Sequence, residues 1–463
     1  MEYVQLTDAE VWQFDSLPAF TGGKMHPLFA DAGKGLFAAD KSSFMHIFTE
    51  VSAAEITGYA DRMREAGFSP VFTNEISGNL FYQFRVPEGL FNITYMHGMK
   101  TARFILDRCQ SAEADAFGDK GFEAVRENTV FAQYSLHYDK MIRGTTCDCG
   151  MNYVFRLRDN RLIIIDGGEM EQSTDLAVKD YMAFLHELTG TADGEKMTVA
   201  LWLCTHPHND HSDFFAKLLR FHSDELFVER AAFNFPAPEN VKHSPSVADC
   251  MARLTEKFPQ VAYIKPHAGC RFTVGNAEFE VYSAAEDALG TGEDGFFPGT
   301  NETSLIFSVK ADGAKILFLA DCAWDNGSVL TENFSEEALA CDIVQAGHHG
   351  INNTEELYAK IHADYVLLPQ CRMNMETRFT EVLATLDREY GAENVYLAHD
   401  RTDIFTLQNG VAGKTERAHA GEAWDGSEWQ QQYFKEKTIW ETLWHSAAAS
   451  ILNRPIAGSL QNI

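Results

Sequence analysis

Apolar residues recur along this chain in two rhythms, one near 3.6 residues and one of two, and their alternation lays out the elements. Ser52–Glu55 (SAAE) has capping-box spacing and predicts a helix that Gly67 can close. Leu80–Arg85 and Phe91–Met96 alternate apolar with polar around Pro87 and Gly89, which predicts a hairpin. These elements make residues 1–130 a small α+β unit, and the polar stretch Gln110–Asn128 joins it to the next domain.

The pattern changes near Phe131. Asn152–Leu157 and Leu162–Ile165 predict two strands around the turn Asp159-Asn160. Asp175–Leu188 reads as an amphipathic helix closed near Gly190, and Val199–Cys204 as a short apolar strand. Phe214, Phe215, Leu218 and Leu219 mark the buried face of the next helix. Further strands follow at Leu305–Val309 and Ile316–Ala320, joined through Asp312-Gly313. Ile343–Ala346 and Tyr365–Leu368 come next, with a helical pattern between them. Hairpins and strand–helix alternation together predict an α/β fold of stacked sheets covered by helices, spanning residues 131–415. Residues 416–463 carry Trp424, Trp429, Trp440 and Trp444, which suit a helical extension packed on the core.

Composition refines this picture. The 463 residues include 45% apolar and 23% charged residues, the balance of a globular protein with a sizeable core. No stretch reaches the roughly 20 apolar residues of a membrane span, and the N-terminus lacks the form of a secretory signal. Nine cysteines, an odd number set in apolar segments, fit reduced thiols in a cytoplasmic protein. Cys147 and Cys149 lack CxxC spacing and read as buried small residues. With 38 Lys and Arg against 67 Asp and Glu, the net charge is −29. Such a surface argues against bulk nucleic acid and anionic membranes, and for a small-molecule substrate.

The chemistry concentrates in Thr205–Asp213 (THPHNDHSD), which holds three of the 17 histidines and two aspartates. The strand before it delivers the chain to a sheet edge. His206 and His208, two apart in extended backbone, project to the same side and can grip one metal ion. Asp210 and His211 follow at the turn into the helix and can face a neighbouring ion. Imidazole and carboxylate donors suit zinc, and less exclusively manganese or iron. Two more strands end in candidate ligands: Asp321 after ILFLA, and His348 and His349 in DIVQAGHHG.

These motifs resemble the metallo-β-lactamase fold superfamily. HPHNDH resembles its HxHxDH signature, IDGG at Ile165–Gly168 its first motif, LADC at Leu319–Cys322 its bridging-aspartate motif, and AGHHG at Ala346–Gly350 its last histidine motif. The closest likeness is to the C-terminal domain branch of competence (DNA-uptake) proteins, through THPHNDH, NETSLIF and GHHGI. The resemblance implies an αββα sandwich with a dinuclear site at one sheet edge. It implies that His206 and His208 bind a first ion, that Asp210, His211 and His348 bind a second, and that Asp321 bridges them. His349 is then expected to pack or to contact substrate. Asp166 resembles the aspartate that orients ligands from behind.

One departure stands out. Many members carry a further histidine in a GHT-like motif, whereas the corresponding stretch here, PGTNETSL, has none. Asn301, Glu302 or a water can stand in, or His267 can reach over from its turn. His399 follows a strand and is a candidate for the substrate pocket. The resemblance implies hydrolysis by metal-activated water, with Asp210 or Asp321 taking the proton. The favoured substrate is a small phosphodiester or phosphate ester. The alternatives are a carboxylic ester, lactone, amide or thioester, or a non-catalytic metal sensor.

Overall fold

The computed structural model describes residues 14, 16–25, 43–107, 122–136, 150–168, 175–192, 194–236, 242–288, 299–352, 355–370, 372–398 and 401–418. Three sheets build the described part of the chain. Cys147, Cys149, Phe296, Phe297, His399 and the four C-terminal tryptophans lie outside the described residues.

Two sheets stack face to face. The first runs, in spatial order, Ala262–Ile264, Arg230–Ala232, Met197–Leu203, Leu162–Asp166, Asn152–Arg156, Thr129–Gln133, Arg401–Leu407 and Val411–Ala418, with Leu226–Val228 also paired to Met197–Leu203. The second runs Arg271–Val274, Ala277–Ser283, Ile306–Ala311, Ala314–Phe318, Ile343–Gln345, Tyr365–Leu368 and Val395–Leu397. Between them lies one apolar core. Phe131, Tyr153, Phe155, Leu201 and Leu203 pack there with Phe279, Phe307, Phe318, Ile343 and Leu367. Strands buried on both faces must read as continuous apolar runs, and LIIID and LWL do.

Helices cover both outer faces. Asp175–Thr189, Asp213–His222 and Pro245–Lys257 pack on the first sheet through residues such as Tyr181, Phe214, Phe215 and Leu254. Trp324–Asn333, Glu355–Lys360 and Thr380–Tyr390 pack on the second through Leu330, Leu357 and Leu386. The sandwich is therefore αββα.

The third sheet is antiparallel, with Lys24–Met25 and Ser43–Thr49 leading to Thr101–Asp107, Gly89–Met96, Asn79–Val86 and Pro70–Ile76. The helix Ala53–Glu65 opens with the capping box that Ser52 and Glu55 predict. This unit docks on the second sheet's outer layer, where Ile76, Phe81 and Met96 join Tyr282, Leu330 and Phe334. Asn79 Nδ2 donates to the Asn333 carbonyl at 2.8 Å, and Gly98 and Met99 N–H donate to Asn333 Oδ1. No helix among the described residues is long and apolar enough to cross a membrane.

Strand direction places the site. Leu162–Asp166 and Met197–Leu203 are parallel, so Asp166 and Thr205 emerge at the same edge. Ala314–Phe318, Ile343–Gln345 and Tyr365–Leu368 are also mutually parallel, and Asp321, His348, His349 and Pro369 follow their C-terminal ends. Leu305 N–H donates to the Thr205 carbonyl at 3.0 Å and ties the two edges together.

Candidate metal centre

The histidine loop leaves its strand at Cys204 and winds into a short 3-10 turn, Asn209–His211. Asp166 fixes it from behind. Its Oδ1 accepts from Thr205 N–H at 2.8 Å, and its Oδ2 from Thr205 Oγ1 at 3.0 Å. His211 Nδ1 also lies 2.8 Å from Asp166 Oδ2, so the Nδ1–H is held there and Nε2 faces forward. Gly167 is needed beside it: a Cβ there would sit 2.4 Å from Phe215 Cβ, where the next helix begins. Thr205 is the functional residue that sequence reasoning passed over. It lies inside the motif, but only the fold shows its hydroxyl between Asp166, His206 and His211.

On the facing edge, Asp321 follows Ala320, whose φ is 47°. Gln345 holds this strained turn from both sides. Its Oε1 accepts from Ala320 N–H at 2.6 Å, and its Nε2 donates to the Ala320 carbonyl at 3.1 Å. His348 N–H donates to the same carbonyl at 2.9 Å. His348 and His349 are both left-handed, with φ of 46° and 51°. Gly347 lies so close to the first loop that a Cβ would meet the Cys322 carbonyl at 2.9 Å. Left-handed backbone at non-glycine residues costs energy and persists where packing over-determines it.

Two groups of donors result, and both use Asp321. Asp210, His211, Asp321 and His349 form one, and His206, His208 and Asp321 the other, each with its ligand atoms within 4.8 Å of one another. His206 Nε2 is 3.0 Å from His208 Nδ1 and 3.5 Å from Asp321 Oδ2. His211 Nε2 is 3.2 Å from Asp321 Oδ1, and His349 Nε2 is 3.4 Å from the same oxygen and 3.0 Å from Asp210 Oδ2.

The tandem histidines depart from expectation. The sequence reading gave the second group to His348, but His349 occupies it. The paired left-handed turn carries the fully buried His349 inward. His349 Nδ1 lies 3.1 Å from the Pro369 carbonyl, which leaves Nε2 aimed at the carboxylates. His348 sits nearer the surface, 3.8 Å from Asp321 Oδ2, with its ring nitrogens 2.8 Å from the amides of Asn301 and Asn352. Asn301 is thus at the site but against His348. Glu302 accepts from Asn326 N–H at 3.1 Å and serves the start of the helix Trp324–Asn333.

His267 is a second correction. It does not reach into either group. Nε2 lies 2.7 Å from Asp107 and Nδ1 2.5 Å from Glu286, so both nitrogens are engaged at the junction with the N-terminal sheet. Burial opposes its charge, but the two carboxylates outweigh burial and push it up to about 10.

Electrostatics divide the site. Burial pushes His206 well below its ordinary range and lowers His208, towards the neutral imidazole that ligation requires. Burial acts the same way on His211, but Asp321, Asp166 and Asp210 overcome it and raise it well above normal. His349 follows the same balance and is raised to about 9 by Asp321 and Asp210. Burial works to raise Asp210 and Asp321, yet His211 and His349 hold both below the usual carboxylate range.

The donor set fits a divalent cation. His211 Nε2, His349 Nε2 and Asp321 Oδ1 are buried and converge at ion-pair distance, but none makes a well-aligned hydrogen bond. Buried polar atoms left so are costly, and a shared cation satisfies them. The four imidazoles of His206, His208, His211 and His349 and the carboxylates of Asp210 and Asp321 are nitrogen and oxygen donors of the kind zinc takes.

No protein-family model and no curated protein matches the sequence. Solved structures similar to it share the metallo-β-lactamase fold at low identity. One is the metallo-β-lactamase fold protein YhfI from Bacillus subtilis, 12% identical, covering 58% of this chain and 97% of that one, with a TM-score of 0.35. Another is Zn2+-bound PqqB from Methylobacterium extorquens, 9% identical, covering 59% and 98%, at 0.33. A third is CmlA, a diiron β-hydroxylase from Streptomyces venezuelae, 11% identical, at 0.33. That match covers 61% of this chain and about half, 54%, of that one.

Proposed function

We propose that the chain is a metal-dependent hydrolase of a small phosphodiester or phosphate ester, and that zinc is its metal. The observation that carries this is the pair of donor groups sharing Asp321, with its buried donors turned inward and without a well-aligned hydrogen bond. A sensor needs one ion held tightly; two adjoining donor groups suit the handling of a nucleophile and a substrate oxygen side by side.

His206, His208 and Asp321 would hold one ion, and Asp210, His211, His349 and Asp321 the other. Bound there, the metal supplies Lewis acidity and lowers the pKa of water from about 15.7 towards about 7. The chain's own residues do the rest. Asp166 keeps the proton of His211 on Nδ1, and the Pro369 carbonyl does the same for His349. Asp210 and Asp321 are held as carboxylates, the form that ligation requires, and the proton-accepting role of either rests on the motif likeness. His348 is the more exposed of the tandem pair, 3.8 Å from Asp321 Oδ2.

The phosphate preference rests on the motif likeness to the DNA-uptake branch. The net charge of −29 turns that likeness away from DNA and towards a small ester. The five described cysteines are free, which supports a reducing compartment such as the cytoplasm. The test is a screen of the metal-loaded protein against bis-p-nitrophenyl phosphate, p-nitrophenyl esters, lactones and a β-lactam. Chelator-sensitive turnover of the phosphodiester is expected. Turnover of acyl substrates alone would assign the same metal chemistry to a carbonyl centre, and no turnover with any metal contradicts the reading.

A further inference from the structure

The first donor group is one histidine short. His206, His208 and Asp321 supply three protein ligands, against four in the second group. The stretch 299–305 offers no histidine, and Glu302 is turned to the Asn326 backbone. His267 is engaged by Asp107 and Glu286.

We propose that the tandem histidines serve two different ions, His348 completing the first site and His349 the second. The inference rests on the metal-hydrolase reading above.

The distances around Asp321 carry it. Four histidines present Nε2 to this carboxylate, two to each oxygen. His206 and His348 lie 3.5 and 3.8 Å from Oδ2, while His211 and His349 lie 3.2 and 3.4 Å from Oδ1. Oδ2 faces His206 of the first donor group, and Oδ1 faces His211 and His349 of the second. His348 therefore lies on the side that lacks a ligand, just outside the 4.8 Å spread of that group, and its ring swings in to complete it.

The backbone explains how neighbours in sequence can divide this way. Two consecutive left-handed residues splay the side chains, and the two rings stand 6.2 Å apart at 61°. Left-handed geometry at both positions is strained, and here the strain sets two imidazoles on either side of one carboxylate.

The outer contacts obey the same rule for each ring. His211 Nδ1 is held by Asp166, His349 Nδ1 by the Pro369 carbonyl, and His348 Nδ1 by the Asn352 side chain. A neutral imidazole has one acceptor nitrogen, so the amide NH2 groups of Asn301 and Asn352 do not both donate to His348. Amide orientation is assigned from such networks. With the Asn352 oxygen accepting from Nδ1–H, Nε2 carries the lone pair, and Asn301 donates to it from 2.8 Å. A cation entering beside Asp321 Oδ2 takes over that lone pair. Asn301, whose Oδ1 is buried without a partner, moves aside or turns its oxygen to the ion.

Metal stoichiometry tests this without reference to activity. Wild type, His348→Ala, His348→Asn, His349→Ala and Asn301→Ala would be stripped, reloaded with Zn2+ or Co2+, and assayed by mass spectrometry. Near-ultraviolet circular dichroism would confirm that each is folded. Wild type and Asn301→Ala should hold about two ions, and each histidine variant about one, with the remaining ion at different sites. The Co2+ absorption bands of the folded His348 and His349 variants should therefore differ. Folded His348 variants that keep two ions at wild-type affinity overturn the assignment. So does loss of one ion in Asn301→Ala but not in His348→Ala, and so does a wild type holding one ion. A wild type that binds no ion overturns instead the metal reading on which the assignment rests.

Discussion

At the scale of single residues, the site is a set of imidazoles whose behaviour depends on what stands behind them. Asp166 touches both Thr205 and His211, so its loss loosens the loop and frees the ring together. Asp166→Asn should weaken metal binding about 10- to 100-fold, the usual effect of removing a ligand's partner, measured by chelator competition. An unchanged affinity would show that the loop needs no such support. Protons also compete with metal here. Asp321 and Asp210 raise His349 to about 9, so its ring carries a proton below that pH and must shed it to ligate. His211 is raised too and must also shed its proton, so apparent affinity should rise more than tenfold per pH unit below about 9. A flat profile between pH 6 and 9 counts against His349 as a ligand. Part of this was legible in sequence. The spacing of His206, His208, Asp210 and His211 follows from local geometry alone. Which of His348 and His349 turns inward does not, because it depends on a left-handed turn held by the Ala320 carbonyl and packed on Cys322, both from elsewhere in the chain.

At the scale of elements, the loops that follow the parallel strands are the working parts. Gln345 brackets Ala320, and through it sets the backbone on which Asp321 stands. Gln345→Leu removes both bonds and leaves the buried Ala320 N–H unpaired, while its carbonyl keeps the His348 N–H; the loss should destabilise the fold by about 1–3 kcal/mol. Its metal affinity should fall as well. A drop in stability with metal binding intact would separate the turn from the site. Alternating and continuous apolar runs foretold most strands, their hairpins and the covering helices. The strand Val411–Ala418 shows a limit, since it continues through residue 415, where the sequence pattern ends the domain. Its pairing with Arg401–Leu407 comes from a sheet edge, not from a strong apolar signal.

At the scale of the whole molecule, the N-terminal sheet and the sandwich share a buried polar junction. Asp107 faces His267 and Lys265, His267 faces Glu286, and Arg103 faces Asp287. Sequence could not reveal this junction, because its members lie 160 and 184 positions apart. His267 has its folded value raised to about 10, against an ordinary value of 6.5. A raised group contributes its full stability below the unfolded value and loses it as pH rises through the folded one. His267→Gln should therefore cost about 3–5 kcal/mol near pH 6, and the gap to wild type should shrink towards pH 10. Denaturant titration across that range checks both the size and the sign. The central claim is that the shared aspartate joins two donor groups into one metal-dependent hydrolytic site. Its most direct test is bis-p-nitrophenyl phosphate hydrolysis by wild type and Asp321→Asn, each stripped and then reloaded with Zn2+. Wild type should lose turnover on stripping and regain it on reloading, while the variant should stay inactive and bind less metal. Hydrolysis that survives both chelation and Asp321→Asn would contradict the account.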